Sequence, residues 1–178
     1  MTIFNLGSIN ADHFYRLPHL TQPGETLAAT AYDRGLGGKG ANQSVAAARA
    51  GAVVRHIGAT GADGAWMRAE LAAAGVDCAH VAAVDLASGH AIIMVDAAGE
   101  NSIVLFPGAN RAVPLTVLEE ALATAQAGDW LLLQNETSAQ LEAVALAKAR
   151  GVKIAYSAAP FEAEAVRKIL ADLDLLLL

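Results

Sequence analysis

The sequence predicts an α/β domain in which helices cover both faces of a mostly parallel sheet. Short runs rich in Val, Ile and Leu alternate along the chain with alanine-rich segments that favour helices. Strands separated by helical segments of roughly 10 to 15 residues are joined by right-handed crossovers, so neighbouring strands run parallel. One β-rich region, residues 89–106, has no helix inside it and predicts a hairpin outside this alternation.

The first predicted strand covers residues 3–7, and the polar segment 8–12 is expected to be its exit loop. The pattern breaks up over residues 14–33, where Pro18, Pro23 and Gly24 interrupt it, and residues 26–32 have mixed β-type character without a clear helical face. We therefore expect this stretch to contribute little to the core.

A glycine cluster at residues 35–40 precedes a helix that we predict over residues 41–50, with Gly51 as its stop. Bare backbone at a helix start can press N–H groups against an oxygen-rich ligand or an anion. The alternation continues with strands at 53–59 and 81–84 and, between them, a helix at 65–74.

The β-rich region contains two runs, residues 90–96 and 102–106, joined by turn residues at 97–101, and is expected to form the hairpin. The alternation of helices and strands then resumes. The helices are predicted at residues 114–127, 139–150 and 162–171, and the strands at 130–134, 152–156 and 175–178.

We expect one domain over residues 1–178, because this length is close to the ~150 residues of a typical domain. The last predicted strand, residues 175–178, stops inside an apolar run, whereas natural termini are usually polar. We interpret this as a truncated chain. A short terminal strand that completes the sheet is the alternative.

The composition argues against several classes of partner. With 12 basic and 18 acidic residues the net charge is −6, and no basic block favours nucleic acid or an anionic membrane. We see no signal peptide and no apolar run of the ~18 residues that span a bilayer. The single cysteine, Cys78, cannot form an internal disulfide, and the five histidines lack metal-site spacing. We therefore predict a cytoplasmic protein with a small-molecule partner and no metal site.

Polar residues follow three of the predicted strands, at the place where ligands of such sheets bind. They are Asn10 and Asp12 after the first strand, the turn at residues 37–42, and residues 134–136. Carboxylates accept hydrogen bonds from hydroxyl groups, whereas Asn side chains and backbone N–H groups donate to them. This set of groups suits a sugar.

The glycine turn has other interpretations. The spacing Gly35-x-Gly37-x-x-Gly40 matches the dinucleotide-binding pattern, but the strand at 53–59 does not end in the acidic residue that such a site needs. A Walker A loop is excluded, because Gly40 rather than Ser or Thr follows Lys39. A purely structural role in a tight strand-to-helix turn stays open.

Several motifs in order closely resemble the N-terminal half of the ribokinase-like, PfkB-type carbohydrate kinases. The motifs are Asn10-Ala11-Asp12, Pro23-Gly24-Glu25-Thr26, Gly37-Gly38-Lys39-Gly40-Ala41-Asn42-Gln43, Gly58-x-x-Gly61-x-Asp63-x2-Trp66 and Gly108-Ala109-Asn110. The resemblance covers essentially the whole chain. It implies the ribokinase-like α/β fold with a β-lid, which we assign to residues 14–33 and 89–106. In this family the lids of two subunits often join into a homodimer, and the partner-facing residues would include Ile92, Met94, Val104 and Phe106.

The resemblance also implies a substrate site and a reaction. The implied substrate-binding residues are Asn10, Asp12, Gly38, Lys39, Asn42 and Glu136. The implied reaction transfers the γ-phosphoryl group of ATP to the 5-hydroxyl of D-ribose. The complete enzyme is expected to use Mg²⁺ and, as in many members, a monovalent cation such as K⁺.

Two family motifs do not occur in this sequence. Members carry the catalytic Asp in a Gly-Ala-Gly-Asp motif, and an Asn-x-x-Glu element helps to organise magnesium and phosphates. The segment Ala127-Gly128-Asp129 is only a superficial match, because it precedes a strand. We therefore assign no catalytic, ATP-binding or metal-binding residue, and we expect the catalytic Asp beyond Leu178. The sugar-binding half is expected in this chain without the ATP-binding half, so we expect no phosphoryl transfer by the chain alone.

Three alternatives stay open. The first is a kinase for another substrate, such as a hexose or a nucleoside, although the sequence of residues 37–43 favours ribose. The second is a non-catalytic sugar-binding fragment that dimerises through its lid. The third, a nucleotide-binding oxidoreductase, depends on the glycine spacing alone.

Overall fold

The computed structural model describes residues 1–178, which form ten strands and five α-helices. The strands are β1 (Thr2–Leu6), β2 (Asn10–Arg16), β3 (Ala31–Gly37), β4 (Val53–Thr60), β5 (Asp77–Ala83), β6 (Gly89–Val95), β7 (Asn101–Phe106), β8 (Trp130–Gln134), β9 (Lys153–Ser157) and β10 (Leu175–Leu177). The helices are α1 (Lys39–Arg49), α2 (Ala65–Ala73), α3 (Leu115–Ala123), α4 (Gln140–Ala149) and α5 (Ala163–Ile169). Three short 3-10 turns cover Ala62–Gly64, Gly108–Arg111 and Leu170–Asp172.

Six strands form the main sheet in the order β10-β9-β8-β1-β4-β5. Every pair of neighbours in this sheet runs parallel. The chain first builds the sheet outward from β1 through β4 to β5, and then returns to place β8 on the other side of β1. The predicted α/β class with a mostly parallel sheet is confirmed.

Helices cover both faces of the main sheet, as predicted, and two separate apolar cores lie beneath them. On one face, Met67 and Leu71 of α2 pack with Val54 of β4. On the other face, Leu118 and Leu122 of α3 belong to a larger core of 21 buried residues that also includes residues of α4 and α5. The alternation of side chains along a strand supplies both cores from one sheet.

The central strand β1 shows this alternation most clearly. Phe4 and Leu6 are buried in the larger core. Asn5 points to the opposite face, where its Nδ2 donates to the backbone oxygen of Gly40 in α1 at 2.8 Å. A polar residue inside a buried strand is stable only when its hydrogen bonds are satisfied. Helix α1 supplies the acceptors for Asn5 Nδ2, and Gln134 of β8 donates to Asn5 Oδ1 at 2.8 Å.

The second sheet has four strands in the order β3-β2-β6-β7. The predicted hairpin is confirmed, because β6 and β7 pair antiparallel. One other expectation was wrong, because the predicted exit loop at 8–12 contains the start of β2. The stretch 14–33 contains the rest of β2 and the start of β3, and Leu17 is its only buried residue, so it contributes little to the core, as expected. Parallel pairing with β6 supplies the ladder hydrogen bonds that order this polar segment.

The glycine cluster differs from its prediction as well. Gly35 and Gly37 belong to strand β3, and they pair with Asp12 and Asn10 of β2. Helix α1 starts at Lys39, so the turn between strand and helix consists of Gly38 alone. Pairing with β2 overrides the low intrinsic β-propensity of glycine.

The remaining elements lie close to their predicted positions. Strand β5 starts at Asp77, four residues before the prediction, because it pairs with β4 along most of its length. Helix α3 ends at Ala123 rather than at residue 127, since a turn at positive-φ Gly128 leads into β8. At the end of the chain, β10 pairs in parallel with β9. No helix has the length and apolar character needed to cross a membrane.

Candidate functional site

The order in which strands are added to the main sheet reverses between β1 and β8. The chain adds β4 and β5 on one side of β1 and then β8 on the other side. Such a switch point leaves a crevice beyond the carboxyl ends of the two strands, and ligands of parallel sheets bind there. Ser8 lies just after β1, and Glu136 lies just after β8. Helix α1 begins beside them, so three chain segments meet at this crevice.

A cavity of about 210 Å³ opens at the switch point. All six substrate-binding residues that the family resemblance implied line this cavity, whereas Gln134 and Asn135 of the segment 134–136 do not. The six are Asn10, Asp12, Gly38, Lys39, Asn42 and Glu136. The other lining residues are apolar and come from the second sheet: Ala91, Ile93, Ile103 and Leu105. The polar lining of the cavity thus comes from β2, the start of α1 and the loop after β8, and its apolar wall comes from β6 and β7.

The glycine turn permits a very close approach between α1 and β1. A Cβ atom on Gly7 would lie 2.5 Å from Gly40 Cα, so neither position has room for a side chain. Gly38 has φ of 94°, and a Cβ atom there would lie 2.6 Å from the Ser8 oxygen. The glycines therefore bring the first turn of α1 directly against the loop after β1.

The N–H groups at the start of α1 are partly engaged within the protein. Gly40 N–H donates to Ser8 Oγ at 3.3 Å, and Ala41 N–H donates to the Ser8 backbone oxygen at 2.9 Å. The expectation that bare backbone of the turn would face a ligand or an anion is therefore wrong for these two groups. Their hydrogen bonds fix the position of Ser8 instead.

Glu136 is held by two donors, although its side chain is only 7% exposed. Ser8 Oγ donates to Glu136 Oε2 at 2.5 Å, and Lys39 Nζ donates to Glu136 Oε1 at 2.7 Å. Each carboxylate oxygen keeps a further lone pair after accepting these bonds. The carboxylate is therefore rigid and can still accept a hydrogen bond from a ligand in the cavity.

Asp12 is the second carboxylate of the cavity. Its side chain lies against Gly37, where any Cβ atom would overlap the carboxyl group. Burial disfavours its charged form and raises its pKa, and the negative charge of Glu136 raises that pKa further. The positive charge of Lys39 acts in the opposite direction. The cavity thus combines two carboxylate acceptors with one cationic donor, a set suited to binding several hydroxyl groups at once.

A buried polar network of hydrogen bonds joins β1, α1 and β4. His56 Nε2 bonds to the Gly7 oxygen at 3.0 Å, and since a carbonyl only accepts, Nε2 carries the proton. His56 Nδ1 then accepts from Ser44 Oγ at 2.8 Å, and Ser44 Oγ accepts from Asn5 Nδ2 at 2.8 Å. Burial lowers the pKa of His56 to about 4, so the ring is neutral at physiological pH.

Several residues that shape the site were not singled out from the sequence. Ser8 had been assigned only to an exit loop, and Asn5 and His56 are polar residues inside apolar strand runs. Polar residues buried in strands need partners, so Asn5 and His56 carried a usable signal. Asn110 belonged to a recognised motif without an assigned role, and it hydrogen-bonds to Asn10 at 2.8 Å.

The dinucleotide interpretation loses its structural basis. Its pattern requires the glycines to form one turn between a strand and a helix. Gly35 and Gly37 instead lie in an edge strand of the second sheet, and only Gly38 forms the turn.

The sequence is similar to known carbohydrate kinases over most of its length. The profile of the pfkB family carbohydrate kinases matches residues 2–178. A ribokinase of Haemophilus influenzae is 44% identical over 164 residues, which cover 89% of this chain and 54% of the relative. A ribokinase of Staphylococcus aureus is 34% identical, again over 89% of this chain and 54% of the relative. The chain thus spans about half the length of these relatives.

Solved structures agree with the sequence relatives. A ribokinase from Cryptococcus neoformans in complex with ADP superposes with a TM-score of 0.80 at 37% identity, covering 98% of this chain and 57% of that chain. A ribokinase from Thermotoga maritima superposes with a TM-score of 0.83 at 30% identity, covering 99% of this chain and 58% of that chain. The family profile, the relatives and the fold agree, and this chain belongs to the pfkB family of carbohydrate kinases.

Proposed function

We propose that this chain provides the sugar-binding part of a ribokinase, an enzyme that transfers the γ-phosphoryl group of ATP to the 5-hydroxyl of D-ribose. The observation that carries the proposal is the cavity at the switch point, which all six implied substrate-binding residues line. The names of the relatives support ribose as the substrate. A ribokinase from Arabidopsis thaliana, whose structure contains ribose and ATP, superposes with a TM-score of 0.74 at 29% identity, covering 88% of this chain and 52% of that chain.

We infer that some side chains of the cavity accept hydrogen bonds from the sugar and others donate to it. Asp12 and Glu136 accept hydrogen bonds from hydroxyl groups, whereas Asn42 and Lys39 donate to sugar oxygens. Charge-assisted hydrogen bonds of this kind contribute about 1.5–3 kcal/mol each. The apolar wall contributed by the second sheet excludes water from one side of the sugar, which strengthens these bonds. We infer that the second sheet acts as a lid over the bound sugar.

The phosphoryl-transfer step needs more than these groups. ATP supplies the transferred phosphoryl group, and the reaction requires a base and a site that neutralises phosphate charge. Three or more His, Cys, Asp or Glu residues with metal-binding geometry do not come together in this chain. In phosphoryl-transfer enzymes Mg²⁺ is usually held by one or two carboxylates together with the substrate phosphates, and we assign the two carboxylates of this cavity, Asp12 and Glu136, to the sugar. We propose that the complete enzyme binds ATP, Mg²⁺ and any K⁺, and that it works in the cytoplasm.

Calorimetric titration of D-ribose into this chain tests the sugar site. We expect binding with a stoichiometry of one, and we expect at least a tenfold loss of affinity for Asp12→Asn. The matched control is Asp85→Asn, which changes an exposed carboxylate outside the cavity. Absence of binding heat from a folded wild-type chain contradicts the proposal. Formation of ribose 5-phosphate by this chain with ATP would show that our division between sugar binding and catalysis is wrong.

A deoxyribokinase of Salmonella typhi is 32% identical over 90% of this chain and 54% of its own length, which makes deoxyribose the second candidate substrate. The same titration with 2-deoxy-D-ribose distinguishes the two sugars. We expect D-ribose to bind more tightly, because every hydrogen bond from the cavity to the 2-hydroxyl is lost in the deoxy sugar. Equal affinity for both sugars would contradict ribose specificity.

We also propose that two copies of this chain associate through their second sheets. Strand β7 lies at the edge of that sheet, and its side chains Val104 and Phe106 are 60% and 48% exposed. An exposed apolar edge strand is suited to pairing with another chain. Sedimentation velocity should show a dimer that Val104→Lys converts to a monomer. A wild-type chain that stays monomeric at all accessible concentrations contradicts this association.

A further inference from the structure

Asn10 and Asn110 form a hydrogen-bonded pair at the wall of the cavity. Asn10 opens β2 and lines the cavity, whereas Asn110 lies in the 3-10 turn Gly108–Arg111. Both residues are buried, with 4% and 2% of their surface exposed. Asn110 Nδ2 donates to Asn10 Oδ1 at 2.8 Å. The proposed sugar-binding set includes Asn10 but gives Asn110 no role.

The backbone of Ile9 fixes the orientation of the Asn110 amide. Ile9 N–H donates to Asn110 Oδ1 at 2.9 Å, and Asn110 Nδ2 donates to the Ile9 oxygen at 3.2 Å. A flipped amide would place a donor against the N–H group and an acceptor against the carbonyl oxygen. Both hydrogen bonds would then be replaced by repulsion. The group that Asn110 turns toward Asn10 is therefore a donor.

This donor determines in turn how the Asn10 amide is oriented. Because Asn110 offers an N–H group, the atom of Asn10 that faces it is the acceptor Oδ1. Asn10 Nδ2 then lies on the other side of the amide and donates to no protein atom. The cavity consequently presents a hydrogen-bond donor at Asn10, beside the acceptor carboxylates of Asp12 and Glu136.

We propose that Asn110 is a positioning residue that determines specificity, because it holds Asn10 with its Nδ2 ready to donate to a sugar oxygen. This inference deepens the proposed function and rests on it, since it places the sugar in this cavity. Gly89, the first residue of β6, supports the assignment. A Cβ atom at Gly89 would overlap both Asn110 Nδ2 and Asn10 Oδ1. The hydrogen bond between the two amides therefore requires a residue without a side chain at this position.

The substitution Asn110→Asp replaces the donor with an acceptor and tests the proposal. The Asn10 amide is then expected to turn its Nδ2 toward residue 110 and its Oδ1 toward the cavity. We expect the dissociation constant for D-ribose to rise at least tenfold. In an Asn10→Ala background, the same substitution should change that constant by less than twofold. A tenfold loss in both backgrounds would show a merely structural role and overturn the proposal.

The substitution Gly89→Ala provides a second test in which Asn110 is retained. Its methyl group separates the two amides, so we expect a similar loss of affinity that again disappears in the Asn10→Ala background. The matched control is Gly35→Ala, where a Cβ atom meets no other atom within 4 Å. A Gly89→Ala variant that is folded and binds D-ribose as tightly as the wild type would overturn the proposal.

Side-chain amide exchange measured by NMR provides a readout that needs no sugar. In the ligand-free wild type, the Nδ2 protons of Asn10 should exchange with water at least tenfold faster than those of Asn110. In Asn110→Asp, the Asn10 protons should become protected. Protected Asn10 protons in the wild type would overturn the inferred orientation. The expected exchange pattern without any ribose binding would contradict the proposed function and leave the orientation of Asn10 supported.

Discussion

Lys39 Nζ donates to Glu136 Oε1 at 2.7 Å, although the two residues are 97 positions apart in the chain. Lys39 begins α1 and Glu136 follows β8, so this ion pair joins the two sides of the switch point directly at the cavity. The Glu136 side chain is 7% exposed and that of Lys39 is 44% exposed. The buried carboxylate therefore depends on the ammonium group more than the ammonium group depends on the carboxylate.

Removing the positive charge with Lys39→Met should destabilise the protein at neutral pH. The buried Glu136 carboxylate loses its counter-charge, and hydrogen bonds to charged groups contribute about 1.5–3 kcal/mol. We expect a loss of about that size in the free energy of unfolding, measured by urea denaturation at pH 7. The same change at exposed Lys168, which forms no ion pair, is the control. Equal stability of the two variants would contradict the importance of this pair.

Asp12→Asn should have opposite effects on stability and on sugar binding. The pKa of Asp12 is raised in the folded state, so its stabilising contribution decreases as the pH rises above the ordinary value of 3.8. Asparagine carries no charge, and we expect this variant to melt at a higher temperature than the wild type at pH 7. The difference should shrink below pH 3.8. Thermal melting across this pH range checks the effect on stability, and a lower melting temperature at pH 7 would contradict it. Titration with D-ribose checks the loss of binding.

His56 should make the stability of the fold sensitive to acid. Its pKa is lowered from 6.5 to about 4 in the folded state, so the unfolded chain binds the proton more readily. The contribution of His56 is complete above pH 6.5 and is lost as the pH falls toward 4, by roughly 3 kcal/mol in total. Urea denaturation from pH 7 to pH 4 measures the loss. In His56→Gln, which does not titrate, this part of the pH dependence should disappear, and identical slopes for both proteins would contradict the prediction.

Gly40→Ala should destabilise the protein, although alanine is normally preferred over glycine inside a helix. Its methyl group would overlap the backbone of Gly7 and Ser8. Overpacking of this kind typically costs about 1–3 kcal/mol. Chemical denaturation should show this loss for Gly40→Ala, whereas Gly35→Ala should stay within about 0.5 kcal/mol of the wild type. A stabilised Gly40→Ala variant would show that the close approach of α1 to β1 is not required.

Much of the main sheet could be predicted because its signals are local. Alanine-rich segments that end at Gly51, Gly75 or Gly151 define helices, and the apolar runs between them define strands. The polar residues of the cavity could be predicted from the same local signals, since residues that follow parallel strands collect at one edge of the sheet. Asp12 and Glu136 could therefore be singled out from the sequence, and the structure places both in the lining of one cavity.

The second sheet could not be predicted to the same extent. Strand β2 is polar, and it is ordered by β6, which lies about eighty residues further along the chain. Its hydrogen bonds come from that distant partner, so the local pattern of residues 10–16 carried little signal. The glycines of β3 were misplaced for the same reason, because their strand exists only through pairing with β2.

The sequence by itself determined the class of fold, the order of the main-sheet elements and the polar groups that face the cavity, because propensity, periodicity and strand ends are properties of neighbouring residues. Only the tertiary structure decided how those groups are oriented. Ser8 holds Glu136, and Asn110 turns the amide of Asn10, through hydrogen bonds that span about a hundred residues or more. Hydrogen bonds depend on distance and direction, and packing of the whole chain sets both.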